Sequence, residues 1–68
     1  MHFTERMLKY GISEHAVADV VLSGIVFTDT ATAAKIYWKD GIAIVTEEGM
    51  LLTTYRGSIK ARWVEISH

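Results

Sequence analysis

Neither cysteine nor proline occurs among the 68 residues. Without cysteine there is no disulfide, no zinc-thiolate centre and no thiol nucleophile. The three histidines, His2, His15 and His68, are too scattered to suggest a metal site. No pair of carboxylates has glycosidase or metal-site spacing, so neither a metal nor a cofactor is expected. Excess charge is also lacking. Seven Lys and Arg against eight Asp and Glu leave a formal charge of −1, which does not suit a strongly basic nucleic-acid binder, and no DNA-binding signature is present. The most apolar stretch, 16–27, is broken by Asp19, Ser23 and Gly24 and is too short to span a bilayer. The opening Met1-His2-Phe3-Thr4-Glu5-Arg6 has no apolar core of the kind a signal peptide needs. A cytoplasmic protein without membrane contact is expected.

Apolar residues are plentiful, at half of the chain. This is not a disordered composition, and the length suits one domain spanning 1–68. A domain of this size buries only about 60% of the surface its unfolded chain exposes. Domains below roughly 70–80 residues usually rely on a disulfide, a metal or a partner chain. Self-association is therefore the expected support.

The apolar pattern changes once, near Gly24, from a helical period to strand-like alternation. Residues 4–10 read as a short helix, with Thr4 as its cap, Phe3 and Leu8 as a hydrophobic staple and Gly11 as its left-handed stop. A start at Met1 or His2 is the alternative. Ser13 caps a second helix that buries Ala16, Val17, Val20 and Val21, with an Ile12–Val17 staple, and Gly24 ends it. Strands follow at 25–28, 34–39, 42–46, 50–55 and, as a further candidate, 59–66. Asp40-Gly41 marks a tight hairpin, because a type I′ turn needs positive φ at both central residues. The expected class is α+β, with two N-terminal helices on one face of an antiparallel sheet of four to five strands.

Turn lengths assign residues to faces. Two-residue turns place Trp38 opposite Ala43, Ile36 opposite Val45, Val45 opposite Leu52 and Ala43 opposite Thr54. Trp38 is expected to point towards the helices. The other face would then expose Tyr37, Ile42, Ile44, Leu51 and Tyr55, too apolar a set for water. These five form the expected interface for a homodimer or a protein partner. The alternative is that 59–66 folds over this face with Trp63 as its lid.

The stretch His2-Phe3-Thr4-Glu5-Arg6-Met7-Leu8-Lys9-Tyr10-Gly11-Ile12-Ser13 resembles the opening of the family known as domain of unknown function 4258, which reads His-x-x-x-Arg-x-x-x-Arg-Gly-Ile-Ser/Thr. Val17, Val20, Val21, Leu22 and Gly24 are similar to its next helix, and Thr53-Thr54-Tyr55-Arg56 to its closing strand. Lys9 to Ser13 is also similar to a segment of BrnT-type toxins. The resemblance implies a barnase/RelE-like ribonuclease fold, and with it a toxin or toxin relative that acts on RNA. It departs at Tyr10, which stands where that family has a second arginine.

Metal-independent RNA cleavage needs a base, an acid and a cation for the phosphorane. His2 and Arg6 would share a helix face if the helix begins at His2. Arg56 could add a second cation, and Tyr55 could donate a proton or stack on a base. These four are the candidate catalytic residues. Arg56, Lys60 and Arg62, with Tyr37, Tyr55 and Trp63, also suggest a small basic-aromatic surface, or simply charges protecting an edge strand. The reading favoured by the −1 charge and the missing arginine is a non-catalytic interaction domain, phage or mobile-element encoded. The alternative is the ribonuclease.

Overall fold

The computed structural model describes residues 3–66. His2 and His68 lie outside the described residues. Helix α1 (Phe3–Tyr10) and helix α2 (Glu14–Ser23) precede five strands, β1 (Ile25–Asp29), β2 (Lys35–Lys39), β3 (Ile42–Glu47), β4 (Met50–Arg56) and β5 (Trp63–Glu65). The strands form one antiparallel sheet in the order β4-β3-β2-β1-β5. The fold is α+β, as the change of period near Gly24 implies.

Local chemistry accounts for the elements. Ser13 Oγ accepts the Ala16 amide at 3.1 Å and caps α2. Gly11 has φ +64 and ends α1, and the Ile12 amide bonds back to the Met7 carbonyl at 2.8 Å. Thr4 does not cap α1, because the helix already includes Phe3. The expected Phe3–Leu8 staple does not form either: Phe3 is buried and Leu8 is 80% exposed. Asp40 and Gly41 both take positive φ, and Trp38 pairs with Ala43 and Ile36 with Val45. Glu48 and Gly49 make a second tight turn of the same kind.

Beyond that turn the pairing departs from simple alternation. Thr46 opposes Leu51, but Val45 opposes Thr53 and Ala43 opposes Tyr55, with a shift between Val45 and Thr46 that leaves Leu52 as the extra residue. A bulge of this kind reverses the faces of everything after it. Tyr55 therefore joins the face of Ala43, and Thr54 joins that of Ile44.

The helices cover the face opposite to the expected one. Ile42 and Ile44 are buried beneath them with Phe3, Ile12 and Val20, and Tyr37 packs against this cluster. Trp38 belongs to the other face, with Phe27, Ile36, Ala43, Val45 and Tyr55. That second face is closed from within the chain. Residues 57–62 carry the chain from β4, at one margin of the sheet, to β5 at the other, and Trp63 packs against Phe27 with ring centroids 5.6 Å apart. The expected strand over 59–66 shrinks to Trp63–Glu65, and its lid closes the Trp38 face instead of the Ile44 face.

Gly24 connects α2 to β1 with an extended φ of −76, not a left-handed one. A Cβ there would stand 2.3 Å from the Val20 carbonyl oxygen and 2.8 Å from that of Trp38. Close approach, not backbone freedom, requires this glycine. Gly24→Ala is expected to cost about 1–3 kcal/mol, as overpacking commonly does. Denaturant unfolding of the two proteins checks this, and an unchanged midpoint would contradict it.

Candidate functional site

Two of the sequence-derived site residues, Tyr55 and Arg56, lie on opposite sides of the sheet. Arg6 is exposed on α1. Neighbours on a strand point to opposite sides, and Tyr55 and Arg56 do so here. Arg56 pairs with Ile42 on the helical face, and its Nε and Nη2 donate to the Tyr10 and Gly11 carbonyls at 2.8 and 3.3 Å. These are carbonyls at the C-terminal end of α1, where a cation is favoured. Tyr55 pairs with Ala43 on the opposite face, with the Lys60 ammonium 5.1 Å from its ring centroid. Burial raises the Tyr55 phenol above its ordinary pKa, against the opposing influence of Arg62. The sheet thus separates Tyr55 from α1 and Arg56.

Two further basic residues are engaged as well. Arg62 Nε donates to Asp29 Oδ2 at 2.9 Å, and the Arg62 carbonyl accepts the Thr30 hydroxyl at 2.8 Å. Lys39 pairs with Asp19 at 2.8 Å and so joins β2 to α2. Trp63 is core: its indole N–H is buried with no acceptor among the described residues. Tyr37, Ile42 and Ile44 lie in or against the helix-covered core, so the five-residue interface face does not exist as an open surface. Of that set only Leu51 is exposed and on the helical side.

What does open to solvent is a groove between the two helices. Phe3 and Met7 of α1, Val17 and Val21 of α2, and Leu51 of β4 line a space of about 470 Å³. It forms because α1 packs along β4 while α2 lies over β2 and β3. Sequence reasoning missed this groove. The available signal was α2 itself, whose Ala18 and Leu22 carry the apolar character beyond its buried stripe. Among the described residues no group of His, Asp or Glu could hold a metal, and no helix is long and apolar enough to cross a membrane.

Two outcomes follow from these contacts. Arg56→Ala should lower stability by about 1 kcal/mol, exposure reducing the value of a charge-assisted bond, through loss of the bonds that close α1. Denaturant unfolding measures it, and Arg56→Lys should recover only part, lacking the fork that spans two carbonyls. The second concerns pH. Burial opposes the charge on Asp29, but the Ala31 amide, Arg62 and the Thr32 amide outweigh it and hold its pKa below the ordinary value. A lowered folded-state pKa gives stability that is present above the unfolded pKa, about 4, and is lost as pH falls through the folded value. The thermal midpoint should therefore drop on acidification below about pH 4. Asp29→Asn should flatten that drop, and an unaltered acid profile would contradict it.

Comparison with protein-family models, with curated proteins and with solved structures finds no match for this chain.

Proposed function

We propose that this chain is a non-catalytic interaction domain. The observation that carries the reading is the fate of the candidate catalytic residues. Arg56 is committed to closing α1, and Tyr55 lies on the far side of the sheet. A single phosphate cannot be gripped by Arg6, Arg56 and Tyr55 together from those positions. The exposed apolar groove supports the same reading, since a contiguous apolar concavity on a small domain is a common mark of a binding surface.

The ribonuclease reading is the alternative. Two helices followed by an antiparallel sheet is the order that the resemblance to domain of unknown function 4258 implies, together with the barnase/RelE-like assignment. The exposed Arg6 favours it, on the flank of α1 turned away from the groove-lining Thr4. Fold order alone does not carry an activity.

Incubation of the purified protein with RNA in excess chelator separates the two. The interaction reading expects intact RNA, and expression without an antitoxin to leave host growth unchanged. Chelator-resistant cleavage that disappears in Arg6→Ala would overturn it in favour of the ribonuclease.

A further inference from the structure

The two faces of the sheet are covered by unequal means. On the helical face Phe3, Ile12 and Val20 enter one cluster with Ile42 and Ile44. On the Trp38 face the cover is residues 57–66, and Trp63 is its only buried residue. Residues 57–62 are exposed throughout, and β5 pairs with β1 alone. Three hydrogen bonds tie the length of this segment to the strands. The Trp38 indole N–H donates to the Gly57 carbonyl at 2.9 Å, where the segment leaves β4. Further along, the Thr30 amide donates to the Arg62 carbonyl at 3.1 Å, and the Ile66 amide to the Val26 carbonyl at 2.8 Å.

We infer that residues 57–66 form a strap that lifts from the sheet as one unit while the helices and β1 to β4 stay folded, so that the chain alternates between hiding and displaying the apolar face of Phe27, Ile36 and Ala43. Lifting this segment takes one large side chain, Trp63, out of the core. Lifting either helix would instead break the shared cluster on the helical face, to which the strap contributes nothing. The closed form also keeps the Trp63 indole N–H from water with no acceptor among the described residues, and opening returns water to it. The ion pair of Arg62 with Asp29 holds the strap down, but the Arg62 side chain is half exposed, and solvent weakens such a pair. Segments with few buried apolar contacts are the ones that open locally at the lowest free energy.

The inference goes beyond the interaction reading and does not depend on it. Hydrogen exchange of the full chain, followed by nuclear magnetic resonance, tests it through the three bonded hydrogens. Corrected for their intrinsic rates, all three should report one opening constant, at least about tenfold larger than that of the Ile36 and Tyr37 amides of β2, a strand paired on both sides. Val20→Ala, in the helical-face cluster, should speed exchange of the β2 amides and leave the strap hydrogens within about twofold of the wild type. Sub-denaturing urea should separate the two sets in the wild type itself, because lifting the strap exposes less surface than unfolding the chain. Strap hydrogens as protected as the β2 amides, or accelerated with them by Val20→Ala or by urea, would show that the strap opens only when the whole chain unfolds, and would overturn the inference. Three unrelated opening constants would overturn it too, since the segment would then fray piecemeal instead of lifting.

Discussion

A sheet apolar on both faces must be covered on both faces, and a chain this short has little with which to do so. One face carries Ile42 and Ile44, the other Phe27, Ile36 and Ala43. Two short helices serve the first. A six-residue crossing that ends in Trp63 serves the second. Most of the specific contacts secure one of these covers. Lys39–Asp19 holds α2 to β2, Arg56 holds the end of α1 to β4, and Arg62–Asp29 fastens the crossing to β1. Gly24 lets α2 turn directly into β1, with the backbones too close for any side chain.

This economy bears on function. Cations that could have formed an anion-binding surface are used instead to hold covers in place. Arg56 meets carbonyl oxygens, Arg62 a carboxylate and Lys60 an aromatic ring. A guanidinium held by two backbone carbonyls has fewer donors left for a phosphate, and moving it would release the end of α1. The helical side contrasts with this. Among the described residues none fills its groove, and Leu8 and Leu22 stand exposed.

A single inserted residue has a large effect on what the strands present. Leu52 is accommodated as a bulge, and Thr54 and Tyr55 exchange faces as a result. Thr54 becomes fully buried, with its hydroxyl donating to the Ala43 carbonyl at 2.8 Å. Tyr55 moves beneath Lys60. Had alternation continued unbroken, Tyr55 would have shared the face of Ile42 and Ile44, as simple turn arithmetic predicts.

Local signals were enough for the two helices and the first four strands. Ser13, Gly11, Asp40-Gly41 and Glu48-Gly49 carry caps and turns in their own backbone preferences, and the switch from a period of 3.6 to one of 2 separates helices from strands. The pairing of β2 with β3 was legible for the same reason, since a two-residue turn admits one register. The bulge at Leu52 was not, because nothing local distinguishes Met50-Leu51-Leu52 in alternation from the same residues with one displaced. Nor was the choice of face. Alternation shows that both sides are apolar but treats them alike, so it cannot say which one receives the helices. By itself the sequence determined an α+β chain with a two-sided apolar sheet. Only the tertiary structure decided that α2, turning tightly at Gly24, lies over Ile42 and Ile44, that Trp63 closes the Trp38 side, and that Tyr55 and Arg56 part company. Each of those outcomes depends on contacts between residues far apart in the chain.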